Sequence, residues 1–302
     1  QETTTSNVIN VDDNNVKGFK VGSSGVINGS SAYKYLAYCF RAGGSKNTFN
    51  VDGSGFSTFA ATGIDTTGSQ ITPSGCSIGR AAGLSIIKHT GTGGSNQKLP
   101  HGLGKNVQVY FQKNLTDNSV SWAVLGHALN DSEGGAKRYL LLNSDGAYGI
   151  AGQGPGDEVN IPLYGDATTN LSGKEYITYC FANSPGIAKF GWYVGNQNAD
   201  GPFSNLGFKP AIVIIKNGTN SGTPWFVFDS ARDPDNPIRL NLNPNDNAGE
   251  EDDTNGTWDW MANGAKMTSA GTHPNTNNSK ILYMAWAENP FANLYGGQSN
   301  AK

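Results

Sequence analysis

The sequence has little charge, few sulfur-containing residues and no long apolar stretch. Charged residues make up 15% of its 302 residues, well below the roughly 25% of an average soluble domain, and Cys and Met number 3 each. Apolar runs such as residues 211–215 are far too short to span a bilayer, and nothing near the start has the pattern of a signal peptide. These features argue against insertion into a membrane.

The balance of charge also argues against one class of partner. The chain carries 21 basic and 24 acidic residues, a formal net charge of −3, and its Lys and Arg residues form no cluster. Proteins that bind nucleic acid need a basic surface to replace the counterions of the phosphate backbone. We therefore expect no nucleic-acid partner.

Three cysteines cannot all pair with one another within one chain. Cys39 and Cys180 each lie in an apolar Tyr-Cys-Phe run. The sequence predicts that both are buried free thiols, which behave as small hydrophobic side chains.

Glycine and strand-forming residues are abundant. The chain has 41 Gly, about twice the usual share, with 36% hydrophobic and 10% aromatic residues. Short alternating or β-branched segments, such as residues 84–89, 106–113 and 176–181, are separated by Gly, Asn, Ser, Asp and Pro clusters typical of turns. No window of a dozen residues has a helical period, so we predict an all-β fold with little helix.

The second half of the chain repeats the first. Similar segments recur about 100 residues apart, in the same order and with small changes of offset, as loop insertions would produce. The matched segments are 83–91 with 187–195, 109–111 with 213–215, Trp122 with Trp225, Arg138 with Arg239, and 176–182 with 281–287. We interpret this pattern as a tandem duplication.

The repeat divides the chain into four parts. Residues 83–182 and 183–302 are predicted to be two tandem antiparallel β-sandwich units, jelly-roll-like, because one sheet could not bury both faces of so many strands. Residues 1–40 resemble the closing strands of a partial upstream unit, which a longer parent chain or a partner chain would complete. Residues 41–82 form a Gly/Ser/Thr-rich insertion without a counterpart in the second unit.

Several motifs of the chain carry a family resemblance. They are Tyr-x-Ala-Tyr-Cys-Phe, Lys-Phe-Gly-x-Tyr-x-Gly-Asn and Gly-Phe-x-Pro-Ala-x-Val-x-Ile-Lys, found with related stretches at 35–40, 189–196, 207–216, 228–232, 284–291 and 293–300. Together they resemble a tandem-repeat family of tail-fibre and other virion structural proteins of tailed bacteriophages, frequently marine ones. The resemblance covers residues 18–302 and is weakest over 41–82. The first unit departs from it, with Gly104 and Asn106 where the second has Phe208 and Pro210.

The resemblance implies a function without chemistry. The chain would be a non-enzymatic virion structural protein, extracellular as part of the particle, in the C-terminal part of a tail fibre or appendage, and would act in assembly and host-surface attachment. By analogy it would form a homo-oligomer, a trimer, and would contact other virion proteins and host surface glycans. Two alternatives remain open. One is a capsid or tail decoration protein without receptor binding, and the other is a secreted carbohydrate-binding lectin or adhesin.

Catalytic patterns are scarce. The four histidines are His89, His101, His127 and His273, and His89 matches Tyr193 in the second unit, which indicates a packing exchange. The chain has no Gly-x-Ser-x-Gly, His-Glu-x-x-His or Cys-x-x-Cys motif. We assign no catalytic residue, although a hydrolase built from scattered carboxylates stays open.

An acidic loop is a candidate for metal binding. Calcium takes six to eight oxygen ligands, and the loop at 243–253 supplies many of them, although its spacing differs from that of an EF-hand. The candidate calcium ligands are Asp246, Glu250, Glu251, Asp252 and Asp253. The alternative is a solvated surface loop, and no other cofactor is implied.

Exposed aromatic rings would be needed to bind sugars. Trp192 is adjacent to Tyr193, so one of the two faces outward on a strand, and Trp258 and Trp260 share a strand face. Trp192, Trp258 and Trp260 are therefore the candidate ligand-binding residues. A role in the core or in a subunit contact is the alternative for each tryptophan.

Overall fold

The computed structural model describes residues 9–10, 19–22, 25–29, 32, 34–44, 47–130, 137–152, 154–254 and 257–290. Strands make up 38% and helices 4% of the structure, which confirms the predicted all-β class with antiparallel sheets. The chain divides into two compact units, residues 1–40 and residues 41–302. The described residues include no helix long and apolar enough to cross a membrane.

The described part of the smaller unit contains β1 (Ile9–Asn10), which pairs with β2 (Lys20–Val21), and the short helix α1 (Gly25–Asn28). Residues 34–40, predicted as a closing strand, have no regular secondary structure. A strand motif becomes a strand only where a neighbouring strand takes up its backbone hydrogen bonds. Cys39 is exposed, so the prediction that its thiol is buried is wrong.

The larger unit contains both repeats. We call residues 83–182 the first repeat and residues 183–302 the second. Three strands precede the first repeat: β3 (Phe49–Val51), β4 (Ser54–Phe56) and β5 (Gly75–Gly79). The first repeat contains β6 (Leu84–Thr90), β7 (Gln97–Pro100), β8 (Val109–Asn114), β9 (Ala123–Leu125), β10 (Arg138–Leu141), β11 (Gly149–Ile150), β12 (Asn160–Leu163) and β13 (Glu175–Phe181).

The second repeat has a matching series of elements. It contains β14 (Ala188–Val194), β15 (Phe203–Asn205), β16 (Pro210–Asn217), β17 (Trp225–Asp229), β18 (Leu240–Leu242), β19 (Glu251–Asp252), β20 (Trp258–Met261), β21 (Gly264–Met267), the helix α2 (Thr272–Asn275) and β22 (Lys280–Ala287). Two single-turn 3₁₀ helices, Ala60–Thr62 and His127–Leu129, complete the described elements.

The two large sheets share one topology. The second repeat has the order β14-β22-β16-β17-β18-β19, and the first repeat contributes the same order, β6-β13-β8-β9-β10-β11, to a nine-stranded sheet. Each repeat adds a small sheet, β7-β12 in the first and β15-β21-β20 in the second. Identical strand order in both halves supports the tandem duplication.

The strand pairing shows that the sequence match between β8 and β16 is off by one residue. Tyr110 pairs with Cys180, and Val213 pairs with Ala285, the residue that matches Cys180. Tyr110 therefore corresponds to Val213, whereas the sequence match placed it on Ile214. A strand buried on both faces has a nearly continuous apolar sequence, so a slip of one residue leaves little trace in the pattern.

Three apolar cores hold the larger unit together. Two of them lie in the sandwiches that each large sheet forms with its small sheet. The third lies between the two large sheets and joins Phe181 of the first repeat to Phe190 and Met284 of the second. On β22 successive side chains alternate between the second and third cores, which explains why this strand is apolar throughout.

The segment 41–82 extends the nine-stranded sheet. β5 pairs with β6, and β3 pairs with β5 in parallel, in contrast to the antiparallel pairing elsewhere among the described strands. Phe59 is buried and its ring lies 6.1 Å from that of Phe49. These strands have no counterpart in the sheet of the second repeat.

Candidate functional site

Trp258 and Trp260 lie in the core of the second repeat. Only 2% and 3% of their surfaces are exposed. The Trp258 ring meets the Tyr193 ring edge-on at 5.7 Å and lies 6.2 Å from that of Phe228. They share one face of β20, as predicted, but that face is the inner one. The prediction that they bind sugar is wrong, because neither ring offers a face to solvent.

The structure does not bring the predicted calcium ligands of the acidic loop together. The predicted ligands are Asp246, Glu250, Glu251, Asp252 and Asp253, and β19 directs the side chains of its two residues to opposite faces. Glu250 pairs with Arg232 at 3.1 Å and Asp252 with Arg239 at 3.1 Å. Within the described residues, no three His, Cys, Asp or Glu side chains are placed to hold one metal ion.

Trp192 is the candidate tryptophan that the structure leaves at the surface. It is 40% exposed near the end of β14, and Val194 on the same strand face is 43% exposed. The ammonium group of Lys280 lies 4.5 Å from the centroid of the Trp192 ring, a cation–π contact. This end of β14 therefore combines an exposed aromatic ring with a positive charge.

Lys280 also lines a cleft of about 480 Å³ between the repeats. We call it the inter-repeat cleft. Arg138 and residues 147–150 line it from the first repeat, and Gly218, Thr219, Asn278 and Lys280 line it from the second. Both charged residues in this lining are cationic.

Contacts around Tyr148 join the two sides of the inter-repeat cleft. The Tyr148 amide donates to the Gly218 carbonyl oxygen at 2.7 Å, and the Arg138 guanidinium lies 5.1 Å from the centroid of the Tyr148 ring. A Cβ at position 218 would overlap the Tyr148 ring, so the close approach of the two loops requires glycine there. These contacts join the two sides of the cleft directly.

The buried ionisable groups have structural roles. Burial lowers the pKa of His89 to about 4, and the His89 ring stacks on Tyr176 at 5.1 Å. Burial also lowers the pKa of Lys216 to about 8, although its ammonium donates to the Thr223 carbonyl oxygen at 2.8 Å. Cys180 is a buried free thiol, as predicted, and burial raises its pKa.

Lys105 and Ser184 form a side-chain hydrogen bond near the junction of the two repeats. The Lys105 ammonium donates to Ser184 Oγ at 2.8 Å, and burial lowers the pKa of Lys105. Ser184 is only 2% exposed, so a substrate cannot reach its hydroxyl in this conformation. The contact ties the segment that joins the two repeats to the loop before β8.

Arg138, Tyr148 and Lys280 were not recognised as site residues from the sequence. In the sequence Arg138 stands out only as a repeat match to Arg239, and Tyr148 and Lys280 lie in different repeats, 132 positions apart. They converge because the two large sheets pack face to face. The part of this site that the sequence did predict is the exposed Trp192, whose ring contacts Lys280.

Comparison with known proteins gives one match. No curated protein and no solved structure matches the chain. A family model described as a domain of unknown function, DUF7483, matches residues 1–290, which is nearly the whole chain. The chain therefore belongs to the DUF7483 family.

Proposed function

We propose that the protein is a non-enzymatic virion structural protein, in the C-terminal part of a bacteriophage tail fibre or similar appendage, where it acts in assembly and host-surface attachment. The motif resemblance and the tandem β-sandwich architecture support this proposal. The observation that carries attachment is the inter-repeat cleft with Trp192 beside it.

The chemistry of the cleft fits an acidic glycan. An exposed indole stacks on the apolar face of a sugar ring, and Thr219 and Asn278 offer hydrogen bonds to hydroxyl groups. Arg138 and Lys280 attract the carboxylate, sulfate or phosphate groups of an acidic polysaccharide. A neutral sugar would use the indole and the amide but would gain nothing from the cations.

Assembly would use exposed apolar residues of the smaller unit. Tyr35, Leu36 and Phe40 are 49%, 39% and 43% exposed. Three exposed large apolar side chains lie within six residues of this segment, and exposed apolar surface is typical of contacts with other chains. We propose that this segment contacts further copies of the chain in a trimer, or other virion proteins.

Two measurements on the purified chain test the proposal. Light scattering on a sizing column should give a mass of three chains. Biolayer interferometry on immobilised acidic and neutral polysaccharides should show binding to the acidic ones, weakened about tenfold or more as salt rises from 50 to 500 mM. A monomer that binds neutral glycans would instead support the lectin alternative, and failure to bind any glycan would leave a decoration protein.

Variants locate the binding surface. Trp192→Ala and Lys280→Ala should each weaken binding to acidic polysaccharide about fivefold or more, because stacking and a charge-assisted contact are each worth over 1 kcal/mol. Lys209→Ala is the matched control. Lys209 is paired with Glu288 at the far end of β22, so its loss should leave binding unchanged. Equal loss in all three variants would contradict the proposed site.

A further inference from the structure

The first repeat contains a second cavity, of about 510 Å³, on the inner side of its large sheet. We call it the first-repeat pocket. Strands β9, β10 and β11 supply its apolar wall, and the turn after β12 supplies a polar end. The wall includes Ala123, Leu125, Tyr139, Leu141 and Ile150, and the polar end includes Asp166, Thr168 and Thr169.

The same space in the second repeat is occupied by aromatic rings. Leu125 pairs with Tyr110, and the matching pair in the second repeat is Phe228 with Val213. By the same ladder, Ala123 corresponds to Phe226. Two phenylalanines that fill the second core are therefore an alanine and a leucine in the first, whereas the buried Tyr110 is larger than Val213, its match in the second repeat.

The first repeat also lacks the two indole rings that the small sheet of the second repeat places in its core. In the second repeat β20 runs beside β21 and places Trp258 and Trp260 in the core. In the first repeat the segment beside β12 contains Gly154, Pro155 and Gly156. A Cβ at Gly156 would meet Asn160, so this segment runs close along β12, but it carries no large side chain.

The polar end of the first-repeat pocket combines the exposed carboxylate of Asp166 with the buried Thr169. Asp166 accepts hydrogen bonds from the amides of Thr168 and Thr169 at 2.9 Å each. Behind them Gln112 is fully buried and donates from Nε2 to the Thr169 carbonyl oxygen at 3.0 Å. Its Oε1 has no hydrogen-bond partner within the described structure. The second repeat has the apolar Ile215 at this position.

We infer that the first-repeat pocket binds a small molecule that carries a flat apolar ring of about the size of an indole, with an amine at one edge. The second repeat demonstrates that this fold accommodates indole and phenyl rings at these positions. A ring in the pocket would restore the apolar contacts that the substitutions removed. The carboxylate of Asp166 at the polar end favours a cationic substituent over an anionic one. This inference is independent of the proposed attachment function.

The test uses the full chain and three indole probes. Isothermal titration calorimetry should show that tryptamine binds about fivefold more tightly than indole-3-acetate, with neutral indole between them, because a contact with the exposed Asp166 carboxylate is worth about 1 kcal/mol. If none of the three probes binds at concentrations up to about 10 mM, the inference is overturned. A Kd above that concentration corresponds to a binding free energy of less than about 3 kcal/mol. Equal affinity for tryptamine and indole-3-acetate would overturn the role of Asp166.

Variants place the ligand in the pocket. Ala123→Phe and Leu125→Phe copy the second repeat and should each reduce tryptamine affinity at least about tenfold by filling the space. Ala123→Leu is a smaller change that keeps the test valid if a phenylalanine prevents folding, and it should give a partial loss. Phe228→Leu in the second repeat is the matched control and should leave affinity unchanged. Binding that survives both phenylalanine variants would contradict the site.

Discussion

At the scale of single residues, two buried asparagines hold the same loop in each repeat. Asn170 accepts a hydrogen bond from the Thr92 amide and donates one to the Gly94 carbonyl oxygen, both at 2.9 Å. Asn275 makes the equivalent pair of bonds in the second repeat, also at 2.9 Å. Both side chains are fully buried. An asparagine suits this position because one amide group satisfies a backbone donor and a backbone acceptor together.

His89 makes stability depend on pH. Its pKa is about 4 in the folded protein and near its ordinary value of 6.5 in the unfolded chain. Between these values the unfolded chain takes up the proton first, so the free energy of unfolding falls as pH falls. Over the whole interval we expect a loss of about 3 kcal/mol, measured by urea unfolding at several pH values between 7 and 4.

His89→Phe separates this effect from other titrations. The ring remains available to stack on Tyr176, and Tyr193 occupies the matching position in the second repeat. The variant should lose less stability on acidification than the parent. Part of the loss should remain, since burial also lowers the pKa of His101. An unchanged pH dependence would show that His89 is not the titrating group.

At the scale of elements, β20 closes the second sandwich with its two indoles. Trp258→Ala should lower the free energy of unfolding by about 3–5 kcal/mol, because it leaves a cavity against Tyr193 and Phe228. Urea unfolding measures the change. Trp192→Ala is the control, and its exposed ring predicts a loss below about 1 kcal/mol. Equal losses in the two variants would contradict the packing role of β20.

The sequence predicted which segments are strands better than it predicted which strands pair and which of their faces are buried. The alternation of residues 84–89 and 176–181 and the turn residues around them were sufficient to identify β6 and β13 as strands, each to within one residue. The same criteria failed at residues 34–40, where no ladder forms, and at Trp258, which the pattern placed on a strand but could not assign to an inner face. Whether a strand finds a neighbour, and which of its faces is covered, depends on residues distant in the chain.

The sequence could not predict the inter-repeat cleft, because its residues come from distant parts of the chain. The adjacent pair Trp192 and Tyr193 predicts one outward ring, and the Trp192 ring is exposed. Arg138 and Lys280 join it only through the packing of two sheets, which no local pattern encodes. Internal similarity established that the chain is duplicated, but it carries no information on how the copies pack.

At the scale of the whole molecule, the repeats depend on one another. The third core takes Phe181 from the first repeat and Phe190 and Met284 from the second, and Trp225 Nε1 donates to the Leu141 carbonyl oxygen at 3.0 Å. Neither sheet covers this face without the other. A chain cut between the repeats would therefore expose a continuous apolar surface on each half.

Separate expression of residues 41–182 and 183–302 tests this dependence. Each fragment alone should bind a hydrophobic dye such as anilinonaphthalene sulfonate and unfold at a lower urea concentration than the intact chain. Mixing the fragments should reduce dye binding and raise the midpoint, since association buries the shared face and favours the folded state by mass action. Two monomeric fragments that unfold cooperatively at the midpoint of the parent would show that the third core contributes little. The repeats would then be independent domains, and the cleft between them would need another source of rigidity.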